Sequence, residues 1–176
     1  MNYLKPLILV IFITNTPMIF NFTIDSDISK WRTVDDTVMG GKSYGKFSLS
    51  EKGYGVFEGA ISTENNGGFS SVRYRFEKNE VEKFTKFVLR VKGDGKRYQF
   101  RVKSDVYEYH SYIGYIETTG EWQTIEIEFS KMYPAFRGRK LRIPNYPAKK
   151  MEEIAFLIGN KKNERFKIEI DKIELK

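Results

Sequence analysis

The chain has 176 residues, enough for one domain that buries a sizeable core without a metal or a cross-link to hold it. It contains no cysteine, which removes disulfides, thiolate metal sites and a cysteine nucleophile. The net charge of +7, from 30 basic and 23 acidic residues, is a modest and well-mixed excess, and no nucleic-acid partner is expected from it.

The first stretch stands apart. In "MNYLKPLILVIFITNTPMIF" one Lys at position 5 precedes an unbroken apolar run from Leu7 to Ile13, and the next charge is Asp25. A short positive region ahead of 7–15 apolar residues is the secretory-signal pattern. Residues 1–17 are therefore expected to be a signal peptide or an N-terminal membrane anchor, with a buried first strand as the competing reading. Export to the periplasm or outside, or anchoring in the membrane, is the expected location. A cytoplasmic location follows if the leader does not function.

Beyond residue 18 the strand period of two repeats. The run "WRTVDD" is followed by the Gly-rich turn "GGKS", Gly40–Ser43. That turn is not a phosphate loop, because Asp36 stands where the first glycine of the motif belongs and an alternating strand pattern follows. "KFVLRVKG" sets Phe87, Leu89 and Val91 on one face, and "KRYQFRVKSD" sets Tyr98, Phe100 and Val102 inward. Asp94–Gly95 between them predicts a hairpin. "VYEYHSYIGYI" reads as an aromatic-rich strand pair, and "WQTIEIEF" alternates around Ile125 and Ile127. Lys131–Lys150 carries seven basic residues and no acid; it reads as a long, solvated basic loop, or as an electrostatic partner patch that grips phosphates or an acidic membrane surface. "EEIAFLIGN" is a fully buried strand, and "RFKIEIDKIEL" slips phase near Asp171 as a bulge would make it. About ten strands at this spacing, without a sustained helical period, predict an all-β fold: one β-sandwich, a jelly roll.

The chemistry-bearing residues are sparse. His110 is the sole histidine, too few for an ordinary zinc site. Asp35, Asp36, Glu58, Glu64, Asp94 and Asp105 are all candidates for a carboxylate pair, and the pattern selects none of them. No catalytic residue, cofactor or metal is expected. Exposed tyrosines such as Tyr109 suit stacking against sugar rings, which makes carbohydrate a second class of ligand.

The block "WRTVDDTVMGGKSYGKF", followed some twenty residues later by "NNGGFSSVR", resembles the complex I intermediate-associated protein 30 family. The resemblance continues through "FEG" at Phe57–Gly59, "FRGR" at Phe136–Arg139 and the closing "EEIAFLIGNKKNERFKIEIDKIEL", and spans residues 18–176. It implies a galactose-binding-like β-sandwich that binds protein partners, including subunits of membrane complexes, as a non-enzymatic, chaperone-like assembly factor. Mitochondrial relatives act so for respiratory complex I. The side of the membrane on which this chain works decides whether that role transfers.

Within that domain the residues expected to meet a ligand or partner are Trp31, Asp35, Asp36, Asn65, Asn66, Arg73, Tyr109, Arg137 and Arg139. Asn65–Asn66–Gly67–Gly68 supplies positive-φ positions and self-bonding amides, and so a tight loop. The loop Val38–Ser43 is expected to pack against it. Arg73, beside Asp35 or Asp36, is expected to brace the two by charge-assisted hydrogen bonds, or to receive a polar ligand.

Overall fold

A computed structural model describes residues 17–176, and the apolar run Leu7–Ile13 lies outside them. Among these residues thirteen strands form two antiparallel sheets packed face to face. They are β1 (Met18–Asn21), β2 (Trp31–Asp35), β3 (Tyr44–Leu49), β4 (Gly55–Ile61), β5 (Ser70–Glu80), β6 (Lys86–Lys92) and β7 (Arg97–Lys103), then β8 (Ser111–Glu117), β9 (Trp122–Glu128), β10 (Tyr133–Phe136), β11 (Arg139–Lys140), β12 (Lys150–Ile158) and β13 (Glu164–Leu175). One sheet runs β3-β4-β13-β6-β9, with β1 also on β13; the other runs β11-β10-β8-β7-β12-β5-β2. This is the jelly-roll sandwich that the strand spacing predicts.

The alternation explains the layering. Phe57, Ile168, Ile170, Phe87 and Leu89 from the first sheet face Val72, Phe100, Val102, Ile154 and Phe156 from the second, all buried. Phe87 meets Phe100 edge-on across the gap, with ring centroids 4.8 Å apart. Burial of such a side chain contributes on the order of 2 kcal/mol. The last two strands lie in the middle of their sheets: β12 between β5 and β7, β13 between β4 and β6. The phase slip near Asp171 is present as a register shift between Ile170 and Lys172.

Three expectations need correction. Asp94–Gly95 turns the chain but makes no hairpin, because β6 pairs β13 and β9 whereas β7 pairs β12 and β8. Asp94 there accepts from the Tyr98 hydroxyl at 2.8 Å and the Lys167 amide at 3.0 Å, so the turn is a corner that carries the chain between sheets. Turn chemistry sets the reversal; the choice of partner strand is tertiary. Lys131–Lys150 is likewise not one long loop, since it holds β10, β11 and the buried Tyr146. Finally, Tyr107 and Tyr109 lie in the loop before β8 rather than in a strand.

Candidate functional site

The two glycine-bearing loops do meet, and Asp36 fastens them. It begins a short 3-10 turn, Asp36–Met39, that follows β2. Its side chain is fully buried and accepts from the Ser43 amide (2.9 Å) and hydroxyl (2.5 Å) on one loop. On the other loop it accepts from the amides of Gly68 (2.5 Å) and Phe69 (3.2 Å). Burial works to raise the Asp36 pKa, but the Ser43 hydroxyl and the three amides outweigh it, holding the carboxyl below its usual range. Asp35 is engaged in the same way, by the Ser70 hydroxyl (2.5 Å) and the Gly45 amide (3.1 Å). Asn65 donates to the Gly40 carbonyl at 3.1 Å, and Lys42 pairs with Glu64 above it.

This arrangement explains the glycines. A Cβ on Gly41 would sit 2.2 Å from Asp36 Oδ1, and one on Gly67 would sit 2.6 Å from Oδ2. Gly40 and Gly68 have φ of +85° and +127°, backbone that other residues adopt only under strain. Asn65 and Asn66 hold left-handed φ of 55° and 58°, which an amide side chain tolerates. The junction is thus a closed brace whose acceptors are consumed by its own chain.

Arg73 is not part of it. Its side chain lies on the outer face of the seven-stranded sheet, where Nε approaches only the Ser71 hydroxyl, at 3.4 Å. The expected Arg–Asp brace is replaced by hydroxyl and amide donors, which reach a buried carboxylate without carrying a second charge inside. Trp31 is a core residue, 6% exposed, stacked between Phe47 (5.0 Å) and Tyr74 (4.8 Å), because its position on β2 faces inward. Tyr109, Arg137 and Arg139 gather at the far tip. Tyr109 is 63% exposed and meets Phe136 edge-on at 5.2 Å; Arg137 lies over the Phe136 ring in the Arg137–Gly138 turn joining β10 to β11.

The outer face of the seven-stranded sheet carries a set of residues that the linear pattern hides. Register places Arg32 opposite Arg73, Arg73 opposite Ala155, and Ala155 opposite Arg101. Ile113 and Tyr133 continue the row on β8 and β10. Arg101 donates through Nε and one Nη to Gln99 Oε1, at 2.9 and 2.6 Å. Burial first, and then the charge of Arg73, pushes the Arg101 pKa down to about 10, so it stays cationic at neutral pH. The neighbouring row is different: Arg75 is neutralised by the buried Glu153 at 2.6 Å.

Comparison with known proteins rests on residues 20–170, which match the model of the family described as complex I intermediate-associated protein 30. The chain belongs to this family. Its relatives include the mitochondrial complex I intermediate-associated protein 30 of Drosophila melanogaster, 26% identical over 91% of this chain and 62% of that protein. The Mus musculus protein of the same name is 24% identical over 88% of this chain and 54% of its own length. This family member thus spans somewhat over half the length of those two relatives. Solved structures with the same fold include the family 11 carbohydrate-binding module of a cellulosomal cellulase of Clostridium thermocellum, with TM-score 0.66 and 18% identity, covering 91% of this chain and 93% of the module. An exo-beta-agarase superposes with TM-score 0.57 and 12% identity over 91% of this chain and 24% of its own.

In this family member the motif "VMGGKS…NNGGFSS" is accounted for by Asp36 and the space that its carboxylate needs. The signal available in the sequence was the pairing of two Gly-Gly steps with one acid between strands. The Arg73–Ala155–Arg101 row had no such signal.

Proposed function

We propose that this chain is a non-catalytic binding domain that acts as an assembly factor, recognising protein partners during the building of a protein complex. The observation that carries this reading is the family match across residues 20–170, with relatives named for association with a complex I intermediate. The engaged state of Asp35 and Asp36 supports it, since four donors hold the buried Asp36 as a structural fastener. Affinity capture with the full chain from solubilised membranes is expected to recover discrete protein partners. Recovery indistinguishable from a mock control would refute the reading.

The apolar run Leu7–Ile13 supports export or membrane anchoring of the domain. Fractionation with N-terminal sequencing is expected to find the protein in the membrane or beyond it; an intact chain in the soluble cytoplasm would overturn this. A second reading, a carbohydrate-binding module of an exported protein, draws on the exposed Tyr109 and Phe136 rings at the tip. It requires binding on a glycan array that Tyr109→Ala abolishes.

A further inference from the structure

We infer that the outer face of the seven-stranded sheet is the partner-binding surface, and that Arg73 and Arg101 form a two-fork receptor for carboxylates of an acidic protein segment. This deepens the assembly-factor reading and rests on it for the class of partner.

The two arginines are arranged as a pair. Both stand directly opposite Ala155, on the strands flanking β12. The Ala155 methyl, 5% exposed, leaves room for both long stems to lie over it. Each guanidinium is also tethered from the same side. Ser71 holds Arg73 and Gln99 holds Arg101, each two residues earlier on its own strand, and both tethers lie opposite Leu157. Ser71 takes only the Nε of Arg73, and Gln99 takes the Nε and one terminal nitrogen of Arg101, which leaves both terminal nitrogens of Arg73 and the other one of Arg101 for another acceptor. A guanidinium fork matches a carboxylate with two parallel bonds.

The charge on this row is uncompensated. Among the described residues no carboxylate lies within 4.0 Å of Arg32, Arg73 or Arg101, and Glu153, the buried acid one row away, is taken by Arg75. Two half-buried cations that repel each other, with neutral tethers only, gain when an anion arrives. By contrast, Glu117 stands directly opposite Arg97 at the sheet's end, so the excess is greatest at the centre.

Shape selects an extended peptide. From Arg32 across Arg73 to Arg101 the row crosses three strand spacings, roughly 14 Å. Arg73 and Arg101 stand two strand spacings apart, roughly 9.6 Å at the backbone. An extended chain presents same-side carboxylates about 6.7 Å apart, so acidic residues at alternate positions reach both forks when the arginine stems lean together over Ala155. Tyr133, half-buried at the end of the same row, gives apolar contact alongside.

The test uses the full chain and a fluorescent ten-residue peptide alternating Glu with Ser. Binding at low salt is expected, to weaken as salt rises, and to vanish for the Gln-for-Glu peptide. Arg73→Gln with Arg101→Gln is expected to weaken it by about tenfold or more, the loss of two bidentate charge-assisted contacts. Arg165→Gln, an exposed arginine on β13 of the other sheet, should leave it unchanged. If the double variant does not fold, each single variant reads the same quantity, with several-fold weakening expected. Equal binding by wild type and these variants overturns the inference. So does absence of peptide binding, or tighter binding of polygalacturonate or single-stranded DNA than of the peptide. Partner capture from membranes separates the two claims: partners retained equally by the double variant sink the receptor alone, whereas no partners for wild type sinks the assembly reading.

Discussion

The loop junction and the outer sheet face use charge in opposite ways. At the junction one carboxylate is fully buried, and four donors from two loops converge on it. On the face two arginines flank an alanine from neighbouring strands, with only neutral tethers. A satisfied buried charge holds a structure together, whereas an unsatisfied half-buried one adds nothing to folding and remains open to a ligand. The residue types that draw attention in the sequence, acids beside glycines, therefore serve architecture. The residues with free valence are scattered over three strands.

The comparison is broken most severely at Asp36. Asp36→Ala leaves the Ser43 amide and hydroxyl and the Gly68 and Phe69 amides without their acceptor, and is expected to cost roughly 4 kcal/mol in chemical denaturation. Next comes Gly41→Ala, whose methyl would meet the carboxylate at 2.2 Å; a loss of about 3 kcal/mol is expected, and an unchanged midpoint would show that the loops separate freely.

Acid supplies a finer probe. The Asp36 pKa in the folded chain lies below its ordinary value of 3.8, so its contribution is present above about pH 4 and is lost as pH falls through the folded value. Thermal melts should therefore fall off on the acid side, and Asp36→Asn should flatten that limb. The smallest effect belongs to the face: Arg73→Gln with Arg101→Gln should change stability by no more than about 0.5 kcal/mol, with a rise allowed because two like charges are removed. A large loss there would mean that the pair is structural, and the contrast between the two regions would disappear.

Much of the sandwich was readable along the chain because burial alternates with period two. Phe87, Leu89 and Val91, then Tyr98, Phe100 and Val102, are inward as their spacing requires, and the bulge near Asp171 follows from the broken phase. What escaped depends on pairing between distant strands. Asp94–Gly95 has the residues of a hairpin, yet the strands on either side of it join different sheets, a choice made by β12 and β13 far along the chain. The Arg73–Ala155–Arg101 row escaped for the same reason: β5, β12 and β7 are neighbours in space but not in order. Trp31 shows the reverse error, a conspicuous residue whose place on an inward-facing position of β2 makes it core.

The central placement of β12 and β13 bears on the order in which the sheets close. Without Lys150–Leu175, each sheet is two half-sheets lacking a middle, with β5 and β7 unjoined on one side and β4 and β6 on the other. The sheets therefore cannot close in chain order; their halves keep open edges until Lys150–Leu175 fills both gaps. The guanidinium pair comes together only when β12 joins β5 to β7, so a chain lacking that strand has no means of seizing an acidic partner.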